Sequence, residues 1–286
     1  MKVTEYGKEK VAEGDSFLVY DGNGVSKKLS AKEAYLKLVD MNPDHVAVHR
    51  SEFRGKYLGN RVSEDQIKTI KDGRFKDIWV GDYWTYDDGS TWVVADFNYF
   101  QKTGENEHRV PSNHIVIIQK EITDKNKPHL LSGNSTLQTG ITGETYFNGI
   151  QNQAFKVPYD LSHGNVLTPE QRLNGNIVGS HLPGGTVSYY EKPVVLHASS
   201  IFGGATKFVS RPSIGTGKDI ELSGETEMLG ILALFDLAGP EYAFMSKSYW
   251  LRNLYPDGYL IVNANGYETG TGPSSKIFWR PAFIIG

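Results

Sequence analysis

The sequence contains no cysteine. That absence excludes disulfides, thiolate nucleophiles and cysteine-ligated metals. An excess of one charge is also missing, because 30 basic residues stand against 33 acidic ones for a net charge of -3. Such a balance gives no electrostatic basis for binding nucleic acid or an anionic membrane surface. No apolar run approaches the ~18 residues of a membrane span. The charged N-terminal stretch lacks the apolar core of a signal peptide, so we expect none there.

Patterns of catalytic and metal-binding residues are scarce as well. Among the eight histidines, only His45 and His49 have helical ligand spacing, and no carboxylate stands in register with them. The Gly-Lys pair at 217–218 does not complete a phosphate-binding loop. Glu225 and Glu227 alternate as solvent-facing residues do, rather than as the paired acids of a glycosidase. We therefore predict a protein that is not an enzyme, with no catalytic residue, metal site or cofactor.

Glycine (31 residues) and tyrosine (16 residues) are abundant, and long helical patterns are few. This composition predicts a strand-rich α+β fold with long ordered loops. We divide the chain into a small N-terminal hairpin-plus-helix module, residues 1–72, and a larger mixed α/β domain, residues 73–286. The larger domain includes a stretch rich in proline and glycine, residues 149–215, whose structure the pattern does not indicate.

The N-terminal module opens with strand signals at 16–20 and 25–29 on either side of a glycine turn. Ser30 and Glu33 then form a capping box that predicts a helix to about residue 40. The polar stretch that follows, residues 44–62, is predicted to be a solvated connector.

A second capping box, Ser63 and Gln66, predicts a short helix over 63–72. One hairpin with so little helix buries too little apolar surface to fold alone. We therefore expect residues 1–72 to anchor the chain and to assemble with copies of itself, as a trimer, or with other proteins.

The larger domain opens with the clearest hairpin in the sequence, whose strands are predicted at 78–84 and 91–97. The apolar run 114–118 is typical of a buried central strand. Three further strand signals follow near the end of the chain, at 249–252, 259–263 and 278–285. Because so apolar an end is seldom left loose, the last strand is predicted to pair in the middle of a sheet and to close the domain.

Two arginines, Arg252 and Arg280, occur within apolar segments, where a buried guanidinium needs partners. Asp82 and Asp96 on the hairpin are the candidates. These four residues are predicted to form structural ion pairs rather than catalytic ones.

Aromatic residues near predicted loops give the one positive signal for binding, since aromatic side chains with Gly, Ser and Asn are typical of adaptable binding surfaces. The alternative is that most of them pack in the core or between subunits. The candidate ligand-binding residues are Tyr189, Tyr190, Tyr255, Tyr259, Tyr267 and Trp279.

Three segments in order resemble a known family. They are IWVGDYWTYDDGSTWVVADFNYF (78–100), NHIVII (113–118) and the ending YWLR…GYLIVNANG…FWRPAFIIG. Together they resemble a domain common in phages and prophages of Gram-positive hosts, and the ending is similar to the C-type-lectin-like fold. Residues 15–39 are similar to the anchoring module of phage fibre proteins. One departure is the bulky sequence at 277–279, where the family has small residues before the arginine.

The resemblance implies a virion structural protein, part of a fibre, tail or head decoration, made in the host cytoplasm and located in the virion. Its lectin-like domain would attach to host cell-surface glycan or protein. The alternatives are a purely architectural head or tail component without a ligand and, least favoured, a hydrolase of cell-wall glycan. The resemblance does not indicate the position in the virion or the ligand.

Overall fold

The computed structural model describes residues 16–20, 26–30, 46–101, 110–122, 165–174, 186–190, 193–203, 230–239, 242–255, 258–272 and 275–286. The helices in this part of the chain are α1 (Val46–His49), α2 (Glu64–Lys71), α3 (Ala198–Phe202) and α4 (Ala233–Ala238). The strands are β1 (Ser16–Tyr20), β2 (Ser26–Ser30), β3 (Tyr57–Gly59), β4 (Tyr83–Thr85), β5 (Thr91–Phe97), β6 (Ile115–Gln119), β7 (Glu170–Asn174), β8 (Thr186–Tyr190), β9 (Val194–Val195), β10 (Tyr249–Tyr255), β11 (Gly258–Val262), β12 (Glu268–Thr271) and β13 (Pro281–Ile285). The described fold is therefore strand-rich α+β, as predicted.

A six-stranded mixed sheet in the order β3-β4-β5-β6-β13-β9 organises the structure. The β3–β4 pair is parallel and the others are antiparallel. Strand β13 pairs with β6 on one side and with β9 on the other. The prediction that the last strand lies inside a sheet is therefore confirmed, although this strand begins at Pro281 rather than at 278.

The core of the molecule surrounds the middle of this sheet. Every residue of the predicted central run Ile115–Ile118 is inaccessible to solvent, and so are Phe283 and Ile284 opposite it on β13. Trp92 of β5 contacts the Phe283 ring at 5.1 Å between centroids. Burying aromatic and β-branched side chains on paired strands supplies most of the stabilisation of such a sheet.

The predicted hairpin forms between β4 and β5, but its first strand is shorter than expected. Residues 78–82 turn instead, with the Asp82 N–H donating to the Trp79 carbonyl at 3.1 Å. The Asp82 carboxylate accepts the Trp79 N–H at 2.7 Å, which closes the turn from the other side. Gly81 has φ 86°, a backbone conformation that β-strands do not use. The hydrogen bond from the Trp79 N–H to the Asp82 side chain thus stabilises a turn where the first half of the strand was predicted.

The predicted helix over 63–72 is confirmed as α2, with both hydrogen bonds of the Ser63–Gln66 capping box present. The prediction of a solvated connector over 44–62 is wrong for its described residues. His49 is only 2% exposed, and β3 joins the main sheet. Val62 and Ile70 belong to the same core as β5 and β6. The packed unit therefore extends upstream of the predicted boundary at residue 73.

The remaining strands form smaller sheets. Strands β1 and β2 pair as an antiparallel hairpin, as predicted, while the helix predicted after Ser30 lies outside the described residues. Strands β7 and β8 pair within the stretch that the sequence left unassigned. Strands β10, β11 and β12 form an antiparallel sheet. The polar strand β12 was not predicted, because the sequence Glu-Thr-Gly-Thr has no alternating apolar pattern. No helix within the described ranges is long and apolar enough to cross a membrane.

Candidate binding cleft

An open cleft of about 520 Å³ lies where the end of β6 meets the segment before β10. We call it the aromatic cleft. Its volume falls within the ~300–1,000 Å³ of typical small-molecule sites. Its lining combines aromatic, apolar and charged side chains: Lys120, Glu121, Ile122, Tyr242, Phe244, Met245 and Ser246.

The first wall continues from β6. The Lys120 N–H donates to the Thr91 carbonyl at 2.8 Å, so the backbone keeps its pairing with β5 beyond the strand end. The buried side chain of Ile122 anchors the segment. The Lys120 ammonium lies 5.1 Å from the centre of the Tyr83 ring, a cation–π distance. Glu121, which stands between Lys120 and Ile122 in the sequence, is exposed. One wall therefore offers a positioned cation and an adjacent carboxylate.

The second wall is the segment 242–248, which leads into β10. The Tyr249 hydroxyl donates to the Ala243 carbonyl at 3.1 Å. Met245 is buried beneath the wall, and Ser246 is exposed at its rim. The segment has no regular strand or long helix. Its backbone carbonyls at Tyr242 and Ala243 are held instead by the buried side chains of Arg280 and Tyr249.

Arg280 joins the two walls. Its Nε donates to the Gln119 carbonyl at 3.0 Å, next to Lys120, and its Nη1 donates to the Tyr242 carbonyl at 2.6 Å. The guanidinium also lies over the Phe235 and Tyr249 rings, at 5.6 and 5.4 Å from their centres. Burial lowers the pKa of Arg280, and the Tyr249 hydroxyl works against that shift. A buried, planar fork of donors is suited to holding two carbonyl groups at a fixed separation.

Phe244 forms the exposed rim of the second wall and rests on Gly266. A Cβ at Gly266 would overlap the Phe244 ring, so only glycine permits this contact. Gly266 lies in a tight turn, φ 79°, in which the Asn263 side chain accepts the N–H groups of Asn265 and Tyr267. Phe244 nevertheless leaves 43% of its surface exposed. Phe244 is therefore a partly exposed aromatic ring whose edge packs against the turn at Gly266.

A further aromatic contact extends the surface away from the cleft. The Phe53 ring lies 5.5 Å from Tyr242 in an edge-on arrangement, and it covers Gly81 as Phe244 covers Gly266. Phe53 is 36% exposed. Aromatic surface is thus available both in the cleft and beside it.

The predicted binding residues do not come together in one place. Tyr267 is 67% exposed, next to the glycine beneath Phe244. Trp279, predicted at the ligand surface, is wrong in that role: it is 2% exposed and packs 6.2 Å from Trp250. Trp279 lies just before β13 in a segment that is buried on both faces, since Arg280 and all five residues of β13 are buried as well. Strands β8, β10 and β11 contain Tyr189, Tyr190, Tyr255 and Tyr259, and these four side chains lie outside the described part of the structure.

Sequence reasoning missed Lys120, Phe244 and Phe53. Phe244 lies in the short sequence Tyr-Ala-Phe-Met, which carries no loop signal of its own. The Gly266 contact could not be inferred, since it joins residues of different segments. An Asn-Gly pair at 265–266 was the available sign of a tight turn.

The buried aspartates are ion-paired, but not with the predicted arginines. Arg54 contacts both Asp82 oxygens, with 3.0 Å from its Nε to the nearer one. Arg50 contacts both Asp96 oxygens, with 3.0 Å from its Nη2. Arg280 instead bonds carbonyl groups, as described above. The segment 46–56, predicted to be solvated, packs against residues 80–96, so Arg50 and Arg54 lie within hydrogen-bond distance of the two carboxylates.

Asp96 connects three elements through one carboxylate. Besides Arg50, it accepts the Phe97 N–H and the Ala233 N–H at the start of α4. Burial raises the pKa of Asp96, and the Arg50 guanidinium opposes that rise. Arg252 is also buried, and its backbone N–H donates to the Leu196 carbonyl at 2.9 Å.

One side-chain pair resembles a nucleophile and its base. His197 Nδ1 and Ser199 Oγ are 2.7 Å apart. The same nitrogen accepts the Ser199 backbone N–H at 3.1 Å, and His197 is the N-cap of α3. Ser199 is buried, so this geometry is that of a helix cap. Within the described residues, no group of three or more His, Asp or Glu side chains could hold a metal ion.

Comparison with known proteins identified no relative: no family model matches the sequence, and no curated protein and no solved structure is significantly similar to it.

Proposed function

We propose that this chain is a structural protein of a bacteriophage virion whose larger domain attaches the particle to the host cell surface. The sequence segments that resemble Gram-positive phage proteins support the virion assignment. The observation that carries the attachment role is Phe244, an exposed aromatic ring that packs against Gly266 at the rim of the aromatic cleft. Binding surfaces with rigid aromatic anchors lose little entropy when a ligand arrives.

The proposed domain is C-type-lectin-like, consistent with the resemblance of its ending. Support comes from β13, which returns to pair inside a sheet that also contains the opening hairpin. The hairpin β1–β2 fits the expected anchoring module, through which the chain would assemble as a trimer and join other virion proteins. The cleft lining offers binding groups, and we assign it no catalytic step.

The test uses the purified full chain, labelled with a fluorophore at its amino terminus, on a panel of Gram-positive cells. We expect retention at micromolar concentration on the host strain. Phe244→Ala should abolish it. Phe202→Ala is the matched control, because Phe202 is 37% exposed on α3 and does not line the cleft. If no strain retains the wild-type chain, the attachment role is wrong and the purely architectural alternative is favoured.

A further inference from the structure

We infer that Asn265 is a site of spontaneous deamidation, and that its product changes the rim of the aromatic cleft as the protein ages. The modification needs only the chain and water, so it does not depend on the proposed attachment role. Of the four Asn-Gly pairs in the sequence, the pair at 265–266 is the one that lies entirely within the described residues. The turn around this pair determines both the rate of the reaction and its consequence.

The reaction is the attack of a backbone nitrogen on a side-chain amide. The Gly266 nitrogen loses its proton and bonds to Cγ of Asn265, which closes a five-membered succinimide ring. The Cγ–Nδ2 bond breaks, and ammonia leaves with the proton. Water then opens the ring. Attack at the side-chain carbonyl gives aspartate, and attack at the main-chain carbonyl gives isoaspartate. The atoms balance without an oxidant, a reductant or an enzyme.

Two local features favour this attack. Asn265 is exposed, and its side chain makes no hydrogen bond within the described part of the chain, so its amide can turn toward the backbone. Residue 266 is glycine, so no Cβ blocks the approach of its nitrogen. Packing also requires this glycine, because a Cβ there would overlap the edge of the Phe244 ring. A substitution at residue 266 that slowed the reaction would therefore disturb that contact.

The hydrogen bonds of the turn oppose the attack. The Gly266 N–H donates to the Asn263 carbonyl at 2.8 Å, so the attacking nitrogen is engaged in the folded protein. The Asn263 side chain accepts the N–H groups of Asn265 and Tyr267, at 2.9 and 3.0 Å. The turn must open before the succinimide ring can close. The stability of these bonds therefore limits the rate of deamidation.

Isoaspartate changes the turn in two ways. The main chain passes through Cβ of residue 265, which adds one carbon atom before the Gly266 nitrogen. Because the turn is packed against Phe244 without room for a methyl group, a longer backbone displaces that ring. The product also places a carboxylate beside Tyr267, which is 67% exposed. Both changes act at the rim of the cleft that Phe244 forms.

The experiment follows deamidation of the purified full chain during incubation at mildly alkaline pH. Trypsin releases residues 253–276 as one peptide, and fragmentation in the mass spectrometer separates conversion at Asn265 from conversion at Asn263. We expect conversion at Asn265 and much slower conversion at Asn263, which precedes alanine. In concentrated urea the turn is absent, so conversion at Asn265 should be about tenfold faster than in the folded chain.

Three variants make the result specific. Asn263→Ala removes the side-chain acceptor of the turn, so it should speed conversion at Asn265 about tenfold in the folded chain. Ser275→Ala is the matched control, because it removes a side-chain hydrogen bond with Thr271 outside the turn. Asn265→Gln should stay unmodified, since its longer side chain closes a less favourable six-membered ring. Near-ultraviolet circular dichroism checks that each variant is folded.

Each outcome bears on the inference. Conversion at Asn265 that is faster in folded Asn263→Ala than in the wild type, with the Ser275 control unchanged, supports it. If Asn265 stays unmodified in both folded proteins under conditions that convert the urea-treated chain, the site is overturned. Equal rates in the folded and urea-treated wild type overturn the claim that the turn limits the rate.

Thermal melts test the consequence for packing. The aged wild type should melt at a lower temperature than aged Asn265→Gln, because only the wild type acquires the longer backbone beside Phe244. The same two proteins before ageing give the reference difference. If ageing leaves that difference unchanged although Asn265 has been converted, the displacement of Phe244 is overturned.

Discussion

Replacing Arg280 with alanine should destabilise the domain more than any surface substitution. The side chain is buried and donates to the carbonyls of Gln119 and Tyr242. In Arg280→Ala both carbonyls lose their donor in a place that water reaches poorly. Two aromatic rings, Phe235 and Tyr249, also lose the group that lies between them.

The magnitude follows from these contacts. Each buried carbonyl left without a donor costs ~1–3 kcal/mol, and the cavity left by a large side chain adds to that cost. The sum is about 5 kcal/mol, a large part of the ~5–15 kcal/mol of a typical domain. In a protein of this size, it corresponds to a melting temperature about 10–20 °C lower.

The measurement is a thermal melt followed by circular dichroism, with a urea titration as an independent estimate of the free energy of unfolding. Arg74→Ala is the matched control, because Arg74 forms an exposed ion pair with Asp72, and such pairs contribute little. If Arg280→Ala melts within ~2 °C of the control, the two carbonyls do not depend on the guanidinium. The explanation of how the walls of the cleft are held would then be wrong.

Two further predictions concern His114 and the turn beneath Phe244. Burial lowers the pKa of His114 to about 4, and its ring stays neutral between Phe100 N–H and the Pro111 carbonyl. Because the unfolded chain takes up that proton near pH 6.5 and the folded chain does not, the free energy of unfolding should fall by about 3 kcal/mol as pH drops from ~6.5 to ~4. Urea titrations at several pH values across this range measure that fall. In His114→Asn the free energy of unfolding should change less with pH, and an equal pH dependence in the two proteins would contradict the assignment. Gly266→Ala should displace the ring and cost about 1–3 kcal/mol, because the backbone there has positive φ. Thermal melts should leave Gly272→Ala, where a Cβ meets open space, near the wild type, and equal losses in both variants would refute the packing argument.

The parts of the fold that the sequence predicted are those whose signal is local. The Ser63–Gln66 capping box places α2 within a residue of its observed start, because both of its hydrogen bonds lie within one turn. The run Ile115–Ile118 was also predicted correctly. A strand that is buried on both faces has consecutive apolar residues, and that pattern is visible over a few positions. Strand β12 has neither kind of signal and was missed.

The candidate site was less predictable, since its parts come from distant segments. Glycine at 266 and phenylalanine at 244 belong to different segments, and their contact depends on a turn and an irregular wall meeting in space. Trp279 was predicted at the ligand surface but is buried and packs beside Trp250. Exposure of an aromatic residue is a property of its neighbours, which composition cannot supply.

The sequence by itself determined the strand-rich class, the helix α2 and the buried character of the chain end, because capping, apolar runs and turn residues act over a few positions. Only the tertiary structure decided which charges pair. Asp82 and Asp96 bind Arg54 and Arg50, whereas Arg280 holds the carbonyls on both walls of the cleft. A buried charge takes whichever partner the fold brings within hydrogen-bond distance, and that distance is set by the packing of whole elements.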